Sequence, residues 1–527
     1  MMKKLLSLLL ALSLLAGLMS GCTKAIDNSG YIPTGNAILM EGQEPEDIMP
    51  EEEDTQELTL AYYPDRSMNP LFGSDYTNRV LMSLMYQPLF AVDNKKNVTP
   101  ILCGAYQVSA NSRNWTFYVD ENATFSDGTK VTAEDVIATY TQAKQNDYYK
   151  NRFFHLWEMA ITEDGKGVIF KLDTPFENLP LIMDVPIVKA SEVEAAMPLG
   201  TGPYTFQESS SGAVLQRLDS WWCGKTKIAA TDTTINLVEV TSAAQIRDEF
   251  QFGDVSVVCA NPMSDTFAEY RCDYELWEIE SGYMMYIGCN ILYSEHFDDG
   301  TLRTFLTYGI DRETMVQDAY KGMALPITLP CAPTSPYYNE ALASQYAYDS
   351  LKFINRLTGY RIPTSEKGGP KELVILVNAN DSARVRIART LAENLTAMGL
   401  PAATLEAKAF KDVLYAQRWD IYLGMTRMSA NFDLTEFFRP YGEMGKGGLS
   451  HETLYNMTKN ALENSGNYYN LYQKLAEDGR IIPVMFGYYT VYAQRGLMPD
   501  LAPARDNVFY YSLGKTMQGI QIETVYE

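Results

Sequence analysis

Leu58-Thr59-Leu60-Ala61-Tyr62-Tyr63 reads as a strand that Pro64 ends. Trp115, Phe117 and Val119 alternate with polar neighbours, the period of a half-buried strand. A turn follows at Asp127-Gly128. Thr132 then opens a helix, with Asp135 three residues on as its capping-box partner, and Val136, Tyr140 and Ala143 share one face. Further along, Leu373 to Val377 forms an apolar strand. After it Ile387, Leu391, Leu395 and Met398 give the apolar face of a helix that Gly399 and Pro401 stop. No clear alternation follows, although Ala402 to Leu405 suits a short strand. Strands and helices alternate here, which predicts a mixed α/β protein and leaves its topology open. No internal repeat is present.

The N-terminal pattern is different in kind. Met1-Met2-Lys3-Lys4 is a short basic start, Leu5 to Leu18 is apolar but for small residues, and Met19-Ser20-Gly21-Cys22 follows. A basic region, an apolar run and a small-residue exit describe a secretory signal over residues 1–21. The run is shorter than the roughly 18–20 residues that cross a bilayer. Ser20-Gly21-Cys22 resembles a bacterial lipobox, with Cys22 as the lipid-modified residue and Met19 where Leu or Val is commoner. Acyl chains there anchor a protein without spanning the membrane. Residues 22–57 then read as a lipidated cysteine and tether. Glu44, Glu46, Asp47, Glu51, Glu52, Glu53, Asp54 and Glu57 form an acidic block without a base, which repels itself and buries little.

Charge and composition narrow the function classes. The formal charge is −23 over the whole chain, and removing Lys3 and Lys4 with the leader leaves about −25. That argues against nucleic acid or an anionic membrane surface as partner, since both require basic patches. The 36 tyrosines supply flat apolar faces with hydroxyl tips, which suit a partly wet binding cavity. Cys103, Cys223, Cys259, Cys272, Cys289 and Cys331 show no CxxC and no Cys/His cluster, so no metal site is expected, and their pairing stays open. About 470 residues follow the tether, enough for two or three subdomains.

Catalytic motifs do not assemble. His451-Glu452 is followed by Tyr455 where a zinc-protease helix needs its second His. No GxSxG elbow occurs. Gly514-Lys515-Thr516 mimics the end of a phosphate loop, but Phe509 stands where the loop needs its first glycine. Asp298-Asp299 is an acidic pair of the sort that 66 acids produce by chance. The expectation is a protein that is not an enzyme and carries no cofactor.

Local signatures from about Leu58 to about Tyr511 resemble the family 5 extracellular solute-binding proteins, the oligopeptide-, dipeptide- and nickel-binding group. Ser67-Met68-Asn69-Pro70, then Leu84-Met85-Tyr86-Gln87-Pro88-Leu89-Phe90, is similar to the family's "LDP … iyEgL" opening, with Asn69 replacing Asp. Trp115-Thr116-Phe117-Tyr118-Val119 and the run from Phe125-Ser126-Asp127-Gly128-Thr129 to Asp135-Val136 resemble its most specific signature. Gly200-Thr201-Gly202-Pro203-Tyr204 matches "GTGPY". After Asn290, Phe297-Asp298-Asp299, Leu302-Arg303 and Ile310-Asp311-Arg312-Glu313 match "fdD … vR … iDRe". The resemblance implies a two-lobe periplasmic-binding-protein-like fold (class II, cluster C) with a subdomain inserted in the first lobe. Lobe I would comprise 58–89, 200–288 and 490–527, the insert 90–199, and lobe II 289–489.

The resemblance also implies a role and a set of contacts. The role is an extracytoplasmic, membrane-anchored and monomeric substrate-binding lipoprotein of an ABC importer, meeting the importer's membrane subunits. It would close its lobes on a peptide or similar small solute. The alternative is a surface interaction or peptide-sensing lipoprotein that kept the fold without transport. Ser429 to Phe438 resembles the family's "aDypDP" segment. The Asp that pairs with a peptide's amino group falls on Ala430, the second Asp falls on Asp433, and the proline on Leu434. Either Asp433 takes the amine, or the ligand lacks an ordinary free amino end. Arg384 and Arg386 fall where a dipeptide-type member holds a carboxylate, or else face solvent. Ser74, Tyr76, Asn261, Tyr286, Arg427 and Asn431 complete the candidate ligand contacts.

Overall fold

The computed structural model describes residues 58–73, 75–210, 212–223, 233–264, 267–498, 501–509 and 524–526. The expected leader, Cys22 and the tether lie outside them. Among the described residues no helix is long and apolar enough to cross a membrane.

The strand read at Leu58 to Tyr63 forms over Thr59–Tyr62, and that read around Trp115 forms over Asn114–Val119 with Trp115 and Phe117 buried. The helix Ala133–Ala143 carries the full capping box, in which the Thr132 hydroxyl takes the Asp135 amide while the Asp135 carboxylate takes the Thr132 amide. Asp381 caps the helix Ser382–Ala397, which ends before Gly399, a residue at φ +100°. Ala402–Ala407 is a strand parallel to Leu373–Asn378. Its side chains are mostly half-buried, and their weak alternation is that of a sheet-edge strand.

Among the described residues the larger sheet has eleven strands. Its main path runs Ala402–Ala407, Leu373–Asn378, Ile421–Arg427, Tyr274–Cys289, Ile481–Gln494, Val257–Ala260, Thr59–Tyr62, Thr234–Glu239, Gly212–Arg217 and Tyr204–Ser209. A five-stranded sheet joins Thr524–Tyr526, Cys103–Val108, Asn114–Val119, Gly167–Leu172 and Leu156–Ile161. The architecture is mixed α/β, as the periodicity predicts.

Strand alternation divides the cores. Near the Ala402–Ala407 edge, Met285, Ile287, Leu373, Ile375, Ile421 and Leu423 point to one face, against Ile387, Leu391 and Leu395 of the long helix. Met284, Tyr286, Leu376 and Tyr422 point to the other, against Leu454, Leu471 and Leu475 of the helices Glu452–Glu463 and Tyr468–Asp478. Both faces are covered, so these strands are apolar throughout. Each fully buried aliphatic side chain there contributes about 1.5–3 kcal/mol relative to exposure. Toward the other edge Leu60, Tyr62, Val257 and Val491 share one continuous core with Phe117 and Phe170 of the smaller sheet and Tyr140 of the helix Ala133–Ala143. Ala61, Val258 and Tyr492 line the opposite face.

Two long strands connect these two bodies. Tyr274–Cys289 and Ile481–Gln494 pair antiparallel, with a break in register between Glu280 and Met284. At that break Gly282 adopts φ +83°, and a Cβ there would lie 2.8 Å from the Arg505 guanidinium. The Ser281 hydroxyl donates to the Gly487 carbonyl across the pair at 2.7 Å. The bend thus demands glycine for its backbone and for its contact. Gly282→Ala is expected to destabilise the protein by about 1–3 kcal/mol. Gly165→Ala, at φ +74° in open space, should lose only the backbone part. Urea unfolding of the two variants measures the difference.

Candidate functional site

Between the two bodies lies an unusual density of buried charge. Asp75 caps the helix Tyr76–Met85 by accepting the Thr77 amide at 2.9 Å. Tyr76 and Arg79, three residues apart, then share one helical face. The Tyr76 hydroxyl donates to the Tyr489 hydroxyl at 2.6 Å, and burial pushes its pKa well above the ordinary tyrosine value. The Arg79 guanidinium lies 3.7 Å from the centroid of the Tyr148 ring, and the Arg427 guanidinium 3.3 Å. Two groups that close cannot share one face without colliding, so the ring is sandwiched between two cations.

Asp506 ties this arrangement together. Its carboxylate accepts from Arg152 Nη2 at 2.7 Å, Arg427 Nη2 at 3.2 Å and the Tyr148 hydroxyl at 2.5 Å. Burial alone would raise its pKa, but Arg427, Arg152 and Arg79 hold it far below the usual carboxylate range. Arg427, at the end of Ile421–Arg427, also donates to the Tyr148 carbonyl at 2.8 Å. Arg152 pairs with Asp184 as well, whose own pKa burial raises against the pull of Arg152. Beside them Arg505 forks onto both oxygens of Glu280 at 2.6 Å, and Lys96 meets Glu280 at 3.0 Å. Burial opposes ionisation of Glu280, yet Arg505 and Lys96 lower its pKa to about 2. Among the described residues, five cations (Arg79, Lys96, Arg152, Arg427, Arg505) face three carboxylates.

A second tie crosses the same boundary. His155 places Nδ1 2.6 Å from Asp173 and Nε2 3.3 Å from Asp433, with the Thr435 hydroxyl at 2.9 Å. Burial would lower the imidazole pKa, but Asp433 and Asp173 raise it to about 9. Thr435, His155 and Asp173 imitate a hydrolytic triad in their order. The imidazolium, however, has no lone pair with which to take the Thr435 proton, and Thr435 is wholly buried. The arrangement holds two parts of the chain together and does no chemistry. Among the described residues no group of His, Cys, Asp or Glu could hold a metal ion.

Two cavities meet at Tyr76 and Cys259. The inner one is bounded by Tyr76, Arg79, Tyr149, Asp184, Arg505 and Asp506 and has a volume of about 50 Å³, enough for a few waters or one compact polar group. The outer one measures about 570 Å³ and is bounded by Tyr63, Arg66, Asp75, Arg247, Asn261 and Tyr270.

The expected contacts are therefore scattered. Tyr76 and Arg427 belong to the boundary, and Asn261 borders the outer cavity, its Oδ1 accepting the Met263 amide at 3.0 Å. Ser74 lies outside the described residues. Asn431 is buried, accepting from Ser429 Oγ at 2.5 Å through its side chain and from the Tyr468 hydroxyl through its carbonyl. Asp433 is already matched by His155, so the amine-binding role expected of it is taken by the chain's own imidazolium. Tyr286 stands inside the second body's core, its hydroxyl 3.2 Å from that of Tyr422, because strand alternation turns it away from the boundary. Arg384 is occupied at 2.8 Å by Asp381, the cap of its own helix, and the exposed Arg386 donates to the Ala319 carbonyl at 3.1 Å. Neither lines either of the two cavities described above. Arg79, Arg152, His155, Arg505 and Asp506 were not foreseen. Only Arg79, one helical turn beyond Tyr76, carried a usable signal.

A family model described as bacterial extracellular solute-binding proteins, family 5 middle, matches residues 97–448. The oligopeptide-binding protein AppA of Bacillus subtilis is 24% identical over 462 residues, covering 80% of this chain and 83% of that protein. Among solved structures, the ABC transporter substrate-binding protein CtaP of Listeria monocytogenes superposes with a TM-score of 0.67 at 17% identity, over 87% of this chain and 97% of that one. AppA of B. subtilis in complex with a nonapeptide gives 0.60 at 19%, over 87% and 98%. These likenesses establish the fold as a mixed α/β, two-lobe one.

The His155 tie has a definite pH signature. Its pKa rises from 6.5 to about 9 on folding, so its stabilisation is fully present below pH 6.5, declines above it and is lost as the pH passes about 9. His155→Gln, which leaves Asp433 buried and unpaired, is expected to cost about 3–5 kcal/mol. Urea unfolding at pH 6 and pH 9.5 should show wild type and variant far apart at the first and much closer at the second.

Proposed function

We propose, from the premise that this chain belongs to the family 5 bacterial extracellular solute-binding proteins, that it captures a peptide or similar small solute between its lobes and delivers it to the membrane subunits of an ABC importer. The family is one of solute-binding proteins, not of enzymes. The observation that carries the reading is the boundary itself. Two strand crossings, one of them bent at Gly282, join bodies whose boundary is rich in polar and charged side chains, and such a joint can open and shut about a hinge. A ligand touching both sides selects the shut form.

In this reading lobe I is 58–89, 200–288 and 490–527, the insert 90–199, and lobe II 289–489. The division is supported by the break in register between Glu280 and Met284, with Gly282 at φ +83°, which falls close to its edges. Residues 1–21 are a secretory signal, and the mature monomer is anchored outside the cytoplasm through lipidated Cys22, with the acidic segment as spacer. Ligand contacts come from Tyr76, Arg79, Asn261 and Arg427, with Ser74 beside them in sequence. The small inner cavity and the pairing of Asp433 with His155 favour one second reading, a surface interaction or sensing lipoprotein that captures nothing for transport.

Native mass spectrometry of the chain incubated with a tryptic casein digest, with small-angle scattering in parallel, separates the two. Retained peptides and a smaller radius of gyration are expected. One unchanging shape with nothing retained would establish the second reading.

A further inference from the structure

We propose that Glu177, with Asn151, latches the inserted subdomain to lobe II and so sets how readily the cleft shuts, although neither residue lines either cavity at the boundary; this rests on the solute-binding reading and the lobe division above. The segment that carries them is fixed to one body. Its Phe153, Leu156, Phe170 and Phe176 are buried in the core that also holds Leu60. Its polar groups reach the other body. The Glu177 amide donates to the Leu462 carbonyl at 2.8 Å, and the Glu177 carboxylate accepts the Ser465 amide at 2.6 Å. Asn151 Nδ2 donates to the Arg427 carbonyl at 3.0 Å. The His155 tie lies between these two contacts in sequence.

The helix Glu452–Glu463 shows why Glu177 suits the task. Leu454 and Ala461 of that helix belong to the core beside Tyr286, whereas Leu462 is buried in the core that holds Phe176. One helix thus touches both cores, and Glu177 meets it where it ends. The last carbonyls of a helix and the first amides of the next turn lack partners within their own elements. Glu177 supplies a donor to the one at Leu462 and an acceptor to the other at Ser465, which opens the turn Ser465–Asn467. These bonds need no solute. Glu177 is exposed, and a polar cavity of about 340 Å³, bounded by Arg113, Pro175, Asn460 and Glu463, adjoins the contact. Water takes over both groups when the bodies part, so the latch is reversible. The affinity a solute shows falls with the fraction of protein in the shut form. Breaking the latch therefore weakens capture without removing any contact to the solute.

The test uses the full chain, with small-angle scattering in the absence of solute and native mass spectrometry with a tryptic casein digest. Asn151→Ala/Glu177→Ala is expected to have a larger solute-free radius of gyration than wild type and to retain peptides about tenfold less well. Saturating digest should return its radius to that of solute-loaded wild type, which a merely loosened fold would not do. Glu177→Ala alone, a change at an exposed side chain, should move both readouts part of the way. Glu163→Ala, the same change at an exposed turn of the same subdomain, should match wild type. An unchanged solute-free radius in the double variant, or undiminished retention by it, would overturn the latch while leaving solute capture standing. If wild type itself retains nothing, solute capture fails, and the solute-free radius alone decides the latch.

Discussion

Asp506 sits where three separate parts of the chain converge. The Tyr148 hydroxyl and Arg152 reach it from one segment, and Arg427 from the end of the strand Ile421–Arg427. Without that carboxylate, several arginines would face one another in a poorly hydrated interior, where like charges repel strongly. Its position in the chain matters as much as its charge. It follows the strand Ile481–Gln494, the second of the two long strands that connect the bodies, so the boundary can be neutralised only after both crossings are made.

The His155 tie works on the same boundary by a different balance. Here one buried imidazole lies between two carboxylates, and its charge is set by them and not by solvent. The Asp506 cluster has cations to spare and the His155 cluster has acids to spare, so the interface is polarised along its length. Between the two ties the chain bends at Gly282, where the Arg505 guanidinium occupies the space a side chain would need. The bend and the charges are thus one unit: Arg505 fills the notch at Gly282 and neutralises Glu280 two residues earlier.

Much of the fold was legible along the chain because its signals are local. The Thr132–Asp135 capping box, the turn at Asp127-Gly128, the alternation around Trp115 and Phe117 and the helix face of Ile387, Leu391 and Leu395 each depend on neighbours a few residues away. The family motifs are likewise turn and cap chemistry, and they identify a scaffold. Tyr286 shows the limit of this kind of reading. A tyrosine on a central strand has the chemistry of a ligand contact, yet the strand's period turns it into the core shared with Tyr422 and Phe437.

By itself the sequence determined the class of architecture, the order of its main elements and the family, because backbone periodicity and capping are short-range and survive at low identity. It also fixed the net acidity that makes a cationic interior noticeable. Only the tertiary structure decided which charges meet. Arg79, Arg152, Arg427 and Asp506 are spread from the first helix to the last described loop, and His155 and Asp433 lie 280 residues or so apart in sequence. Coulombic pairing depends on distance in space and on exclusion of water, and neither quantity is written in the local pattern of a chain.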